Sequence, residues 1–211
     1  MDGWWRRRTA LAAATPAGGL ALDVGTGTGD LAFALARSAP GARVVGIDYT
    51  APMLARAPGK AARARLDERT GWTRADGHRL PFPDGTFDSV ASAFVLRNFA
   101  DLDRAYAEMA RVVRPGGRVA ALEICPPTSA FWRVAFNLYF NRVVPLVGRL
   151  ISGDGGAYRY LPASAAAFLT PAGVAERMRL GGLTPLPPLR LMGGALAIHI
   201  GVKAARGRSD P

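Results

Sequence analysis

From residue 20 onward, short apolar runs alternate with amphipathic stretches, and that alternation predicts the elements. LALDV, residues 20–24, is a five-residue run broken only by Asp23, which suits a short buried strand. DLAFALAR, residues 30–37, reads as a helix with its apolar positions on one face. A second strand spans 43–47 and ends at acidic Asp48, and a helix begins near Pro52. Strands follow at 72–75, 87–93 and 118–124, with a helix over 102–113 between the last two. This strand-helix rhythm predicts a mostly parallel sheet covered by helices on both faces, an α/β Rossmann-like arrangement. After Cys125 the rhythm changes to an apolar, aromatic helical stretch over 131–151 and a loop, SGDGGAYRYLP. A helix over 171–180 and strands at 186–191 and 195–202 complete the pattern. Ahead of the first strand, Trp4, Trp5 and Leu11 predict a helix ending between Pro16 and Gly19. Its basic start and Ala-rich body imitate a secretion signal, but the run passes into LALDV without a cleavage region.

Composition narrows the classes. At 211 residues and 49% hydrophobic content, one domain spanning 1–211 can bury a continuous core and a second has no room. A single cysteine, Cys125, excludes a disulfide framework and a cysteine-based zinc cluster, so no metal is expected and a reducing cytoplasm is the natural compartment. The net charge of +11 suggests an acidic partner: nucleic acid, an anionic membrane face or an acidic small molecule. Arg56, Lys60, Arg63, Arg65, Arg69 and Arg74 cluster, but Asp67 and Glu68 interrupt them and no aromatics interleave. They read as a solvated helix face and loop, and no nucleic acid is expected. The 131–151 stretch carries Arg133, Arg142, Arg149 and a mid-run Pro145, which argues against a membrane span.

The chemistry begins at LDVGTGTGD. Gly25, Gly27 and Gly29 follow a predicted strand and open a helix, where a missing Cβ lets backbone turn sharply and approach a ligand. The spacing is G-x-G-x-G followed by Asp30, unlike the G-x-G-x-x-G of dinucleotide sites, and an acidic helix start disfavours a pyrophosphate. Asp23 and Asp30 instead suit a cationic ligand. Asp48, ending the second strand, is placed to take both ribose hydroxyls, and Asp76 ends the third strand at the height of an adenine ring. Ribose, adenine and a positive centre without phosphate describe S-adenosyl-L-methionine.

LDVGTGTGD, GIDYTAPML, ADGHRLPFPDGTFD, AFVLRNFAD, EMARVVRPGGRVAALE, YRYLPAS and GGALAIHIGVK together resemble the quinone-biosynthesis C-methyltransferases that make menaquinone and ubiquinone. The resemblance runs from about residue 20 to 203; the first motif and RPGG are widely shared, whereas LRN, YRYL and GG-x-x-AIH-x-G in this order are specific. It implies a seven-stranded sheet with an antiparallel last strand, a shortened N-terminal helix over 1–19 and an acceptor-site lid over 126–170. It also implies that Thr28 and the glycines, with Asp23 and Thr26, hold the methionine part, that Asp48 and Tyr49 lie at the ribose, and that Asp76 and Gly77 meet the adenine edge. At Ala93, ubiquinone-making relatives often carry a cofactor-contacting serine, so alanine favours a polyprenyl naphthoquinol acceptor, demethylmenaquinol. Two departures stand out. Val95 replaces a usual glycine and is expected to narrow the acceptor pocket. Relatives also carry a Tyr-Asp-x-x-Asn stretch, ahead of the segment resembling Trp5 and Arg6, that helps cover the cofactor; its absence here implies either a misassigned start or an open site in a weakened or inactive binding protein. A third reading is the same fold acting on another acceptor, a benzoquinol, a small aromatic or RNA.

C-methylation of a quinol needs an electron-rich ring carbon, which forms when the neighbouring phenol loses its proton. Arg97, beside Asn98, is expected to stabilise the phenolate; it stays protonated and so is not expected to be the base by itself, and a water chain is the route for the proton. Tyr158, Tyr160 and His199 are further candidates, His199 having an ordinary pKa near neutrality or else packing in the core. Glu123 is expected to orient a water or the acceptor, or to cap its strand. His78 reads as a loop residue and Cys125 as a strand-end thiol. The aromatics of 131–151 line a channel for an isoprenoid tail or face the core. A bilayer-held acceptor predicts peripheral contact with an anionic membrane from the cytoplasmic face.

Overall fold

The first strand, β1 (Leu20–Val24), pairs in parallel with β2 (Arg43–Asp48) on one side and β4 (Phe87–Ala93) on the other. With β3 (Thr70–Arg74), β5 (Val113–Ile124), β6 (Leu183–Leu191) and β7 (Leu196–Lys203), they form one sheet in the order β3-β2-β1-β4-β5-β7-β6. Only β7 runs against its neighbours, pairing antiparallel with both β5 and β6. The computed structural model describes residues 2–125 and 169–205.

The helices among the described residues are α1 (Asp2–Ala13), α2 (Asp30–Ser38), α3 (Ala51–Leu54), α4 (Ala57–Ala64), α5 (Leu102–Val112) and α6 (Pro171–Leu180). Strand alternation divides the core between the two sheet faces. Ala21, Ala120, Leu122 and Ile198 meet Ala10 and Ala13 of α1 and Leu31 and Leu35 of α2. Leu22, Val90, Val119 and Ala121 meet Tyr106 and Met109 of α5 and Val174 and Met178 of α6. Asp101 caps α5 by accepting from the Arg104 N–H at 2.9 Å, and Thr170 caps α6. Chain direction around the sheet reverses between β1 and β4, which opens a crevice at the carboxyl ends of the central strands.

Several boundaries differ from the sequence expectation: α1 ends at Ala13 rather than between Pro16 and Gly19, and β3 spans Thr70–Arg74 rather than 72–75. The helix expected near Pro52 is two short helices, with Pro52 and Pro58 in their first turns. β5 begins at Val113 rather than 118: Val113 pairs with Phe87 and, after a register shift, Arg118 pairs with Ser89, so Arg-Pro-Gly-Gly forms an irregularity inside the strand. β6 begins at Leu183 despite Pro185, Pro187 and Pro188, because it is an edge strand whose outer N–H groups need no partner. No helix among the described residues is long and apolar enough to cross a membrane. The 131–151 stretch, Tyr158, Tyr160 and most of the expected 126–170 lid lie outside the described residues.

Candidate active site

A cavity of about 640 Å³ occupies the crevice, lined by the loops that follow β1, β2, β3 and β4. Gly25 and Gly27, at φ 71° and 56°, carry the chain out of β1 in the left-handed region. The Thr26 N–H donates to the Ile47 carbonyl at 2.8 Å, which ties the loop to the end of β2. A Cβ on Gly25 would meet Val95, so the side chain that replaces the expected glycine packs directly on the loop.

Asp48 stands on the rim. One of its oxygens accepts from the Gly27 N–H at 2.8 Å and the other from the Thr50 N–H at 2.7 Å. Each oxygen keeps a free lone pair, enough to receive the two hydroxyls of a ribose. Asp76 holds the next turn through the His78 N–H at 2.9 Å and the His78 ring at 2.8 Å, and these contacts keep its carboxyl below the usual range. Gly77 is obligatory here, because a Cβ would collide with the Phe99 ring. His78 is a loop residue as expected, stacked edge-on to Phe99 at 5.0 Å between ring centroids.

Of the expected cofactor residues, Gly25, Thr26, Gly27, Thr28, Asp48, Tyr49, Asp76, Gly77 and Ala93 line this cavity. Asp23 and Gly29 are not among its lining residues, for physical reasons. Asp23 is fully buried beneath the loop, where it accepts from the Thr26 hydroxyl at 2.6 Å and burial raises its pKa to about 7. Gly29, at φ 92°, lacks a side chain because Trp72 and Phe33 occupy the space a Cβ would take. Asp30 lines the cavity, but its charge is already matched: Lys60 sits 2.6 Å away and also donates to the Thr28 hydroxyl at 2.8 Å. Burial opposes ionisation of Asp30, and the Lys60 contact outweighs it and holds the carboxyl below its ordinary range.

The sequence reading missed Arg6, Phe94 and Phe99 as lining residues. Phe94 has φ 60°, a strained conformation for an aromatic residue, and is braced by the Trp5 ring at 6.4 Å and the Arg6 guanidinium at 5.7 Å. Arg6 of α1 thus lines one side of the crevice, with Trp5 packed against Phe94. No local spacing signals a contact between residues so far apart in the chain.

The acceptor candidates divide. Asn98 lines the same cavity. Arg97, on the turn Leu96–Asn98, lines a neighbouring cavity of about 480 Å³ with Leu96, Leu102, Leu169, Asp101, Asp103 and Arg177; Glu123 lines neither cavity, and Phe99 walls both. The Arg97 guanidinium forms an ion pair with Glu123 at the end of β5; its side chain is 9% exposed and that of Glu123 is fully buried. Glu123 Oε1 takes this contact and the Ile124 N–H at 3.0 Å. Glu123 Oε2 and Arg97 Nε are buried without a hydrogen-bond partner. Burial raises the Glu123 pKa, and the Arg97 charge only partly offsets it. Tyr106, buried close by, is raised for the same reason, first by burial and then by the Glu123 charge.

His199 is not among the residues lining either cavity. Its Nε2 lies 3.4 Å from Cys125 Sγ inside the sheet, and burial lowers its pKa to about 4, so it is neutral at physiological pH. The Cys125 thiol is pushed up to about 12 by burial and by the Glu123 charge, as suits an inert strand-end thiol. No group of three or more metal-ligating side chains occurs among the described residues.

The chain is similar to proteins already known. It is 47% identical over 93% of its length to a demethylmenaquinone methyltransferase of Thermus thermophilus, covering 88% of that protein. A protein of the same name from Deinococcus radiodurans is 45% identical over 86% of this chain and 75% of its own length. Among solved structures, a SAM dependent methyltransferase from Aquifex aeolicus superposes with a TM-score of 0.68 at 17% identity, covering 93% of this chain and 88% of that one, which establishes the shared fold. Residues 2–203 match the ubiE/COQ5 methyltransferase family, and with relatives this similar over most of their length, the chain belongs to that family.

Proposed function

We propose that the protein transfers a methyl group from S-adenosyl-L-methionine to a ring carbon of a polyprenyl naphthoquinol, converting demethylmenaquinol to menaquinol. Family membership and the naming of its relatives support the reaction class. The observation that carries the reading is the juxtaposition of two cavities: one rimmed by Asp48 and Asp76, the other lined by a buried arginine, with Phe99 between them.

The cofactor cavity fits the group. Asp48 receives the ribose hydroxyls, Asp76 and Gly77 meet the adenine edge beside Phe99, and the loop from Gly25 to Thr28 holds the methionine part. When bound, the cofactor supplies a methyl group on a positively charged sulfur. The protein aligns this methyl with the acceptor carbon, and positioning of that kind contributes up to about 7–11 kcal/mol in the best cases. Arg97 supplies a fixed positive charge for the phenolate, and Asn98 orients the ring from the cofactor side. Ala93 in place of a hydroxyl-bearing side chain supports the naphthoquinol over the benzoquinol. Incubation with methyl-labelled cofactor and reduced demethylmenaquinone tests the reading: labelled menaquinol is expected, and cofactor binding with no label transferred would overturn it.

The acceptor's prenyl chain places this reaction at a bilayer. We assign the protein a peripheral, reversible contact with anionic membrane from the cytoplasmic side, supported by the +11 charge at about 1 kcal/mol for each Lys or Arg near the surface. Flotation with anionic vesicles should show salt-sensitive binding, and a protein left in the soluble fraction at low salt would refute the contact. Trp132→Ser then asks whether the 131–151 stretch inserts.

A further inference from the structure

Three carboxylates line the crevice cavity, Asp30, Asp48 and Asp76, and Arg6 is the one permanent cation among the described residues that line it. A cofactor that ends in an amino acid brings a carboxylate of its own into these surroundings, and a carboxylate taken out of water needs a charge or several donors in exchange. The glycine loop has few donors left to give. The Thr26 N–H bonds the Ile47 carbonyl, the Gly27 N–H bonds Asp48 and the Gly29 N–H bonds the Thr26 carbonyl. The Thr28 hydroxyl donates to Asp30 while accepting from Lys60. We propose that Arg6 receives the carboxylate of the methionine part of S-adenosyl-L-methionine, and that this contact makes the enzyme select a methyl donor that carries one. The proposal rests on the cofactor reading above and deepens it, and it holds for any acceptor.

Arg6 stands at the matching end of the crevice. Asp48 and Asp76 follow β2 and β3 and mark the ribose and adenine end, whereas the Arg6 charge acts on Asp23 and Asp30, which flank the glycine loop on either side. Arg6 and Asp30 also line a cleft of about 610 Å³ between α1 and α2, together with Arg7 and Arg37. Asp30 is already matched by Lys60, so the field from the three arginines at this end favours an anion. The side chain is held before a ligand arrives. α1 is seated in the core through Ala10 and Ala13, and the Arg6 guanidinium lies 5.7 Å from the centre of the Phe94 ring. Phe94 is itself fixed: at φ 60°, its N–H donates to the Leu122 carbonyl at 2.8 Å and the Trp5 ring packs against it. A guanidinium seated on an aromatic ring has less freedom to lose on binding, and its planar fork matches both oxygens of a carboxylate. The strained Phe94 backbone thereby becomes the seat of the anion site.

A pair of ligands tests the assignment by calorimetry, with no acceptor present. Decarboxylated S-adenosylmethionine keeps the adenosine, the sulfonium and the ammonium and lacks only the carboxylate. Arg6→Met should raise the Kd of S-adenosyl-L-methionine at least tenfold and that of the decarboxylated ligand less than twofold, the second measurement being the check on folding. Arg6→Lys, which keeps the charge and loses the fork, should recover part of the loss. Wild type should prefer the carboxylate-bearing ligand at least tenfold, and the preference should vanish in Arg6→Met. Equal loss for both ligands would overturn the proposal, because Arg6 would then shape the cavity by bracing Phe94 without reading the carboxylate. Wild-type affinity for S-adenosyl-L-methionine in Arg6→Met would overturn it as well. If wild type binds neither ligand, the cofactor reading fails and the proposal falls with it. If the carboxylate is read through Arg6 yet demethylmenaquinol receives no methyl, the acceptor reading alone fails and the Arg6 assignment stands.

Discussion

The two sides of the crevice manage their polar groups in opposite ways. On the cofactor side nearly every one is already occupied: Asp48 by two backbone N–H groups, Asp30 and Thr28 by Lys60, Asp76 by His78. In the second cavity, Arg97 Nε and Asp103 Oδ1 are buried and unpartnered, as is Oε2 of Glu123, the ion-pair partner of Arg97. The first arrangement is a preorganised cradle that keeps its shape before ligand arrives; the second is unsatisfied until something completes it. On the function proposed above, cofactor binding draws on the first and methyl transfer on the second.

If that division is right, substitutions on the two sides should separate affinity from turnover. The largest effect is expected from Arg97→Leu, which should lower turnover about 100- to 1,000-fold while calorimetry shows unchanged cofactor affinity. Wild-type turnover at saturating acceptor would remove Arg97 from the chemistry.

Asp23 breaks the pattern, as a buried carboxyl on the cofactor side with one oxygen unpartnered. Burial raises its folded pKa to about 7, above the ordinary 3.8 of an aspartate, so the native state holds its proton more tightly than the unfolded chain does. The stability this contributes is fully present below the unfolded value and is lost as pH rises through 7. Asp23→Asn, which keeps an acceptor for Thr26, should therefore exceed wild type at pH 8 by on the order of 3 kcal/mol in urea unfolding and match it near pH 4. Equal stability at both pH values would mean that Asp23 is not the strained group described here.

Asp48→Ala should weaken cofactor binding about tenfold or more, roughly 1.4 kcal/mol. Equal affinities would take Asp48 out of the site. The smallest effect is expected from Lys60→Met. The pair is partly exposed, at 34% for Lys60 and 45% for Asp30, so its loss should cost less than about 1 kcal/mol in stability and less than threefold in cofactor affinity. A loss exceeding that of Asp48→Ala would show that the Lys60 latch, rather than the rim carboxylate, holds the cradle.

The legible parts of the molecule are those that local chemistry decides. Leu20–Val24 and Phe87–Ala93 are mostly buried short runs, and Pro171–Leu180 starts on a Thr-Pro cap; all three lie where the pattern predicts. The start of β5 was not legible, because Arg-Pro-Gly-Gly carries turn residues and only pairing with Phe87 makes it strand. In the site, the glycine loop, Asp48, Asp76 and Gly77 follow strand ends and could be placed by position alone. Asp23 could not, since a residue one strand position from the loop points either into the crevice or beneath it, and the sequence does not say which. The Arg97–Glu123 pair, and the bracing of Phe94 by Trp5 and Arg6, join segments that meet only in the folded chain.

β7 also sets an order of assembly on the ribosome. It lies between β5 and β6, with Glu123 opposite Ala197 and the Cys125 N–H bonded to the Ala195 carbonyl at 3.0 Å. Synthesis runs from β1 through β5 long before residues 196–203 emerge, so the strands around the glycine loop can pair early while the outer edge of β5 stays open to water. Glu123 is sealed from solvent only when the late strand slots in beside it. A nascent chain can therefore pair the strands that carry the glycine loop before the strand that covers the outer edge of β5 exists.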